Sequence, residues 1–362
     1  MTCGSGSAGV AVLRWGHLSS MEIRMRRCVA ASPRFATTAR VLLLGALLCT
    51  APVFAASTGA PLQREAQRLV AMLPGEVGVS MVHLQSGRAV HVNADRAFPL
   101  ASVMKVPVAV HILKLVDEGK LALNQTVTLS EADIYPEMGG PVQIHLTPGT
   151  ALTVRDLIHM MITVSDNNAT DILVKLGGGT DAVTQRMQQM GINGVRIDRY
   201  IWELLANYQG NPASQARPIS PEDYGVLDRF VRAHDVRRRD TDAWNRDPRD
   251  TGTTTAMAQL LAKVWKGELL SDSSTSVLKQ IMGQTRTGAG RLRGVLPPNT
   301  PVAHKTGTVG DVINDVGVIT LPDGKGEVIV AVLMESTADT ATRERTIANL
   351  ARAAHDYFLF VE

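Results

Sequence analysis

The sequence predicts an α+β fold in which one antiparallel sheet, built from both chain ends and flanked by helices, carries an inserted all-helical lobe. Runs of β-branched residues occur near both ends of the 362-residue chain, whereas helical periodicity occupies the middle. Strands so far apart in sequence bury their apolar faces by joining one sheet. We expect the active site in the cleft between sheet and lobe, where small-molecule sites commonly form.

The elements near the N-terminal end follow from residue spacing. Apolar residues at helical spacing predict a helix over 62–73, and alternation predicts a strand over 77–84. A turn at Ser86 and Gly87 leads into a returning strand over 89–92, which completes a hairpin. The apolar stretch 101–116 predicts a buried helix that ends near Gly119.

The remaining elements are first helical and then extended. Helices are predicted over 153–164, 170–176 and 180–190, strands over 302–303, 312–321 and 328–334, and a terminal helix over 343–358. The segment from about 208 to 246 is rich in Pro, Asn, Arg and Asp, and we interpret it as a long loop insertion. Within it, Ser220 followed by Pro and two acids predicts a short helix to about His234.

The charge balance argues against a nucleic-acid binder. The formal net charge is +3, but six arginines and one glutamate lie in the first 55 residues. The rest of the chain keeps 31 basic and 33 acidic residues, so it is slightly acidic. A nucleic-acid-binding protein normally keeps a basic face.

The first 55 residues have the pattern of a secretory signal peptide. The apolar run 41–54 follows four arginines and ends in a small-residue cleavage pattern at Ala55. Met21 and Met25 are alternative starts of an over-long N-terminus. A retained membrane anchor is the other interpretation, although the run is short for a bilayer.

All three cysteines, Cys3, Cys28 and Cys49, precede the predicted cleavage site near Ala55. The mature domain over 56–362 therefore forms no disulfide, and packing has to stabilise it. We expect a periplasmic or secreted monomer with no stable membrane anchor and no nucleic-acid partner. The nine histidines form no H-x-x-x-H cluster, so neither a metal nor a cofactor is predicted.

Three short motifs carry candidate chemistry. Ser102 and Lys105 are three positions apart in a predicted helix, so they share one face, and a desolvated lysine can take a serine proton. S-D-N at 165–167 presents a second hydroxyl and an amide, and K-T-G-T at 305–308 ends a predicted strand with a cation that suits a substrate carboxylate. Taken singly, these motifs also fit helix caps, a snorkelling lysine and a solubility device at a strand edge.

Jointly, S-x-x-K, S-D-N and K-T-G in this order are a signature of class A β-lactamases and penicillin-binding proteins. The chain resembles the class A β-lactamase family from about residue 62 to its C-terminus, including T-V-R-D-L at 153–157 and D-P-R-D-T at 247–251. The resemblance implies a serine β-lactamase that hydrolyses the β-lactam amide through an acyl-enzyme.

The resemblance assigns roles to the motif residues. Ser102 is implied to be the acylated nucleophile, Lys105 its base or proton relay, and Ser165 a proton shuttle to the departing nitrogen. The backbone N–H groups of Ser102 and Thr308 are implied to form the oxyanion hole. The implied substrate-binding residues are Asn167, Asn207, Lys305, Thr306, Gly307, Thr308 and Arg291, the last of which has a structural role as its alternative.

Deacylation needs a base for water, and the family pattern D-R-W-E-x-x-x-N supplies a glutamate. Here two extra residues separate Asp198 and Arg199 from Trp202 and Glu203, whereas the interval from Glu203 to Asn207 is intact. We therefore assign Glu203 as the activator of water, with Asn207 helping to hold that water. The alternative is a salt-bridged surface residue.

Two further family features are expected near this loop. Arg199 near its start and Asp250 near its end are the expected ion pair, with the insertion between them. Tyr135 is the candidate for the aromatic side chain at the cleft edge.

Two other functions remain open at the level of sequence. One is a penicillin-binding-protein-like D-Ala-D-Ala carboxypeptidase or another serine amidase or esterase. The other is a sensor of β-lactams or wall fragments that does not hydrolyse them.

Overall fold

The computed structural model describes residues 59–135, 140–208 and 246–361. The strands include those predicted at the β-branched runs near the two chain ends and short ones between them. They are β1 (Glu76–His83), β2 (Ala89–Val92), β3 (Phe98–Pro99), β4 (Thr126–Thr128), β5 (Ala151–Thr153), β6 (Thr251–Gly252), β7 (Val302–Val309), β8 (Val312–Thr320) and β9 (Glu327–Glu335).

Five of these strands form one antiparallel sheet in the order β2-β1-β9-β8-β7. Early strand β1 pairs with late strand β9, with Val79 opposite Val332, so the two chain ends share one sheet. The predicted fold class is confirmed. Strand β7 forms one edge of the sheet and lies against the turn that carries Ser102.

The helices form two layers around this sheet. They are α1 (Ala60–Ala71), α2 (Lys105–Asp117), α3 (Pro141–His145), α4 (Val154–Thr163), α5 (Asn167–Leu176), α6 (Thr180–Gln189), α7 (Ile201–Tyr208), α8 (Thr254–Trp265), α9 (Asp272–Gly283) and α10 (Thr340–Phe360), with 3₁₀ turns at Ala101–Met104 and Glu131–Asp133. Helices α1 and α10 pack on one face, where Leu62, Val79 and Leu350 are buried together. Helix α8 and the inserted lobe cover the other face, where Leu260 packs with Val316.

Helix α2 runs through the centre of the lobe and contacts α4, α5, α6 and α9. Every residue from Lys105 to Leu113 is buried, as expected for a helix that is apolar on all sides. Lys105 is thus held in the interior by its apolar neighbours on the same helix.

Several elements differ from the sequence prediction. The helix predicted from residue 101 begins as the 3₁₀ turn and becomes α-helical only at Lys105. Strand β7 continues from the short predicted strand through the whole K-T-G-T motif, because residues 302–309 all pair with β8. Helices α8 and α9 were not predicted, although Thr253 and Ser271 cap them. The helix predicted from Ser220 to about His234 lies outside the described residues.

Candidate active site

Ser102 lies on a tight turn between β3 and α2. Ala101 before it has a φ of 46°, a left-handed conformation that is uncommon for alanine. Leu100 N–H donates to Asp250 O at 2.9 Å, and Lys105 N–H donates to Ser102 O. This turn leaves the Ser102 side chain only partly buried.

Lys105 is fully buried and its ammonium is surrounded by acceptors from the S-D-N segment. Lys105 Nζ donates to Ser165 O at 2.7 Å, to Ser165 Oγ at 3.1 Å and to Asn167 Oδ1 at 2.6 Å. Burial lowers the pKa of Lys105 to about 7, although the nearby carboxylates of Asp166 and Asp171 oppose the shift. A substantial fraction of this lysine is therefore an uncharged base near neutral pH.

The spacing of Ser102 and Lys105 predicts that the two side chains share one face. Among the described residues, no side chain forms a hydrogen bond with Ser102 Oγ. The Lys105 ammonium turns instead toward Ser165 and Asn167, because three oxygen acceptors lie there. Catalytic contacts in a structure without substrate are often long and tighten in the complex.

Ser165 connects the two lysines of the site. Its hydroxyl accepts from Lys105 Nζ at 3.1 Å and from Lys305 Nζ at 3.0 Å. Ser165 has a φ of 61°, and this left-handed residue turns the chain between α4 and α5. The following Asp166 caps α5 by accepting Ala169 N–H at 2.8 Å and also accepts Val142 N–H at 2.8 Å. The S-D-N segment therefore includes a helix cap as well as the lysine partners.

The edge strand β7 contributes the second lysine. Lys305 is fully buried, and both this burial and the nearby Lys105 charge lower its pKa well below the usual value. Lys305 Nζ also donates to Thr306 O at 2.8 Å. Thr306 Oγ1 lies 2.6 Å from Thr287 Oγ1, a partner that the sequence did not identify.

Gly307 brings β7 against the Ser102 turn. A Cβ atom on Gly307 would lie 2.7 Å from Leu100 O and 3.2 Å from Ser102 N. The contact with Leu100 O is shorter than real Cβ contacts and the contact with Ser102 N is tight, and because both atoms belong to the backbone, a side chain here would require the turn or the strand to shift. The glycine of the K-T-G motif is therefore required for the close approach of the strand to the turn that carries Ser102.

Arg291 packs against β7 beside Thr308. Its guanidinium donates to Gly307 O at 3.0 Å, to Asn314 O at 2.9 Å and to Thr308 Oγ1 at 2.7 Å, and its Nε donates to Glu344. These bonds use four of the five N–H groups of a guanidinium. The structure thus gives Arg291 a structural role and leaves one N–H group beside Thr308.

Helix α7 carries both residues assigned to water activation. Glu203 and Asn207 lie one turn apart, and spacing by four residues puts them on the same helix face. Glu203 Oε2 accepts Tyr200 N–H at 2.8 Å, and burial raises the pKa of its carboxyl group. Asn207 Oδ1 accepts from Arg199 Nη1 at 3.0 Å.

Asp171 is a site residue that the sequence analysis missed. Its carboxylate accepts Ile201 N–H at 2.7 Å and Trp202 N–H at 3.1 Å, so it anchors the first turn of α7 to α5. Burial raises the pKa of Asp171 to about 7. Its position in the apolar stretch of α5 was the available indication, because a buried acid requires specific partners.

The expected pair of Arg199 and Asp250 is confirmed. Both side chains are almost fully buried, and Arg199 Nε donates to Asp250 Oδ2. The other Asp250 oxygen accepts Asp198 N–H at 2.7 Å. Tyr135, the candidate aromatic side chain of the cleft edge, stacks on Trp202 of α7 with ring centroids 5.9 Å apart, and burial raises the pKa of Tyr135 to about 12.

The three motifs thus meet at one place between sheet and lobe, and the arrangement is that of a hydrolase with an active-site serine. The Beta-lactamase enzyme family matches residues 61–358 of the chain. Beta-lactamase VEB-1 of Pseudomonas aeruginosa is 32% identical over 291 residues, which are 78% of this chain and 85% of that relative.

Two solved structures extend the comparison. A β-lactamase from Chitinophaga pinensis DSM 2588 has a TM-score of 0.68 at 29% identity and covers 82% of this chain and 98% of its own. A point mutant of PBP-A, solved as an acyl-enzyme complex with penicillin G, has a TM-score of 0.65 at 26% identity and covers 83% of this chain and 96% of its own.

The chain belongs to the Beta-lactamase enzyme family. The predictions of a class A resemblance and of a hydrolase that acts on β-lactams are confirmed. In the part of the chain that the structure describes, no helix is long and apolar enough to cross a membrane. Residues 59–135, 140–208 and 246–361 also contain no group of three or more His, Cys, Asp or Glu that could hold a metal ion.

Proposed function

We propose that this chain opens the β-lactam amide by acylation of Ser102 and releases the product with water activated by Glu203. The observation that carries the proposal is the position of Ser165 Oγ, which lies 3.1 Å from Lys105 Nζ and 3.0 Å from Lys305 Nζ beside the nucleophile turn. A hydroxyl between two buried amines of lowered pKa can pass a proton in either direction.

In the acylation step Ser102 Oγ attacks the lactam carbonyl carbon and the C–N bond breaks. The neutral amine of Lys105 takes the Ser102 proton, and its pKa of about 7 suits this task near neutral pH. The proton reaches the departing nitrogen through Ser165. Asn167, whose Oδ1 accepts from Lys105, lies where it can bind the substrate amide.

The oxyanion and the substrate carboxylate are received by β7. The N–H groups of Ser102 and Thr308 stabilise the charge that develops on the attacked oxygen. Lys305, Thr306 and Thr308 bind the carboxylate, and Gly307 leaves room for the strand to approach. Arg291 holds Thr308 Oγ1 in place at 2.7 Å and adds positive charge to this end of the site.

In the deacylation step Glu203 takes a proton from water as the water oxygen attacks the ester carbon, the C–O bond to Ser102 breaks, and the proton on Glu203 returns to Ser102 Oγ. Burial raises the Glu203 pKa and makes its carboxylate a stronger base. Asp171 holds the start of α7 by accepting Ile201 N–H, and Tyr200 N–H donates to one Glu203 oxygen. Asn207 helps to place the water.

Mass spectrometry of the protein mixed with penicillin G tests both steps. We expect wild type to turn over, and Glu203→Gln to accumulate an adduct that Ser102→Ala does not form. Glu118→Gln is the matched control, because Glu118 is engaged with Lys120 and Arg186 at another place and should leave turnover unchanged. Rapid turnover by the Glu203→Gln variant would contradict the assigned base.

The second candidate is a penicillin-binding-protein-like D-Ala-D-Ala carboxypeptidase. It is favoured by the two extra residues before Trp202 and by the similarity to PBP-A, which was solved as a penicillin acyl-enzyme. A long-lived adduct on the wild-type protein, together with cleavage of a D-Ala-D-Ala peptide, would support this candidate. Labelling with no turnover of either substrate would support a sensor.

We also propose that the chain is exported, processed near Ala55, and works as a periplasmic or secreted monomer without a membrane anchor. The arginines and apolar run of the first 55 residues support export. N-terminal sequencing of the protein from the periplasm and the medium, with its mass by light scattering, tests this. An intact N-terminus in the membrane fraction would contradict it.

A further inference from the structure

Asn314 is a fully buried amide on β8 that lies directly behind the nucleophile turn. Its Nδ2 donates to Pro99 O at 2.9 Å and to Leu100 O at 3.1 Å. These carbonyls belong to the two residues that come directly before Ala101 and Ser102. Its Oδ1 accepts Met334 N–H from β9 at 2.9 Å. One side chain therefore connects the central sheet to the turn that carries the nucleophile.

This side chain interrupts regular strand pairing. The pairing of β8 with β9 passes from Val312 opposite Glu335 directly to Asp315 opposite Val332. Between these pairs, the Asn314 side chain rather than its backbone accepts the Met334 N–H group. Regular backbone pairing of β8 with β9 is thus interrupted at this point, and the side-chain amide of Asn314 supplies the hydrogen bond to β9.

Asn314 is also tied to the other half of the site. Asn314 lies opposite Gly307 in the pairing of β7 with β8, and Gly307 directly precedes Thr308. Arg291 Nη1 bonds both Gly307 O at 3.0 Å and Asn314 O at 2.9 Å, which fixes the two strands to each other. Thr308 on one side and Ser102 on the other are consequently both positioned with respect to Asn314.

We propose that Asn314 is a positioning residue that sets the spacing between the Ser102 and Thr308 backbone N–H groups of the oxyanion hole. The inference rests on the proposed function, in which those two groups stabilise the oxyanion. Gly307 already brings β7 close to the turn, since a Cβ there would lie 3.2 Å from Ser102 N. The Asn314 amide holds the turn from behind, so the left-handed Ala101 cannot relax away from β7.

Two substitutions test this role. Asn314→Asp keeps the size and the acceptor for Met334 N–H but places an oxygen against the Pro99 and Leu100 carbonyls. Asn314→Leu removes every side-chain hydrogen bond at similar volume. We expect each to lower the acylation rate constant for penicillin G by about 10- to 100-fold, because a misplaced oxyanion donor costs about that much. The dissociation constant of the initial penicillin complex should change much less.

Rapid quench with mass spectrometry gives the acylation rate, and the infrared stretch of the ester carbonyl gives the polarisation of the oxyanion hole. The stretch is measured in the Glu203→Gln background and should move to higher frequency in both Asn314 variants. It reports only on acylated, folded protein, so a loss of folded fraction does not imitate it. Ser80→Ala is the control, because Ser80 is a buried hydroxyl of the same sheet bonded to Thr254 Oγ1 at 3.0 Å.

The outcomes separate the two proposals. If the Glu203→Gln protein forms no adduct on Ser102, the proposed function fails. If that protein is acylated and both Asn314 variants in the same background keep its acylation rate and carbonyl frequency, the function stands and the positioning role is wrong. A Ser80→Ala variant that shows the same frequency change would also overturn the role, because the effect would then be general to the sheet.

Discussion

The buried lysine should make the free energy of unfolding depend on pH in a way that Lys105→Met abolishes. The unfolded chain binds a proton at Lys105 up to about pH 10.5, whereas the folded state releases it near pH 7. Between these values the unfolded state holds more protons, so native stability rises with pH, by about 1.4 kcal/mol per pH unit at the most. From pH 7 to pH 9 this one group contributes about 2 kcal/mol.

Urea unfolding of wild type and Lys105→Met at pH 7 and pH 9 measures the effect. We expect the unfolding free energy of wild type, relative to that of Lys105→Met, to be about 2 kcal/mol higher at pH 9 than at pH 7. The variant should also not be acylated by penicillin G at either pH. The charge of Lys105 lowers the pKa of Lys305, so its removal weakens the pH dependence of the variant further. Parallel pH profiles for the two proteins would refute the argument.

Two further substitutions test the surroundings of the nucleophile. The Asp171 charge raises the Lys105 pKa, so Asp171→Asn should move the acidic limb of the acylation rate profile to lower pH; an unchanged limb would contradict the coupling. Gly307→Ala should reduce acylation about 100-fold and lower the unfolding free energy by about 2 kcal/mol in urea titration, because its Cβ would meet Leu100 O at 2.7 Å. Its control is Gly283→Ala, which has no atom within 4 Å of the added methyl group.

The sheet could be predicted from sequence because its strands have a period of two and its β-branched runs lie at both ends. The three motifs that meet at the site could be found in the sequence because each is a short run, S-x-x-K at 102–105, S-D-N at 165–167 and K-T-G-T at 305–308. The catalytic roles of their residues stay predictions. What spacing could not give is the direction of the Lys105 ammonium. That direction depends on where Ser165 and Asn167 lie in space, and these residues are about sixty positions away.

Asp171 and Asn314 were missed for a related reason. Asp171 directly precedes an apolar run, and Asn314, with Asp315 after it, interrupts another. Periodicity treats Asp171 and Asn314 alike as interruptions of the pattern. Their partners are backbone groups of distant segments, Ile201 N–H for Asp171 and Leu100 O for Asn314. Nearly every residue has the same backbone N–H and C=O groups, so no sequence motif marks these contacts. A buried polar residue nevertheless requires a partner, and this requirement is the usable indication.

The long insertion is compatible with an intact site because both of its ends converge on one guanidinium. Arg199 Nη1 lies 3.0 Å from Asn207 Oδ1 just before the insertion and 3.2 Å from Asp247 Oδ2 just after it. The same side chain bonds Asp250, whose backbone oxygen accepts Leu100 N–H beside the nucleophile turn. When the ends of a loop are fixed, added length costs little free energy. Asp171 at the start of α7 and Arg199 near its end therefore hold the helix whatever the length of the insertion, and the role proposed for Glu203 does not depend on that length.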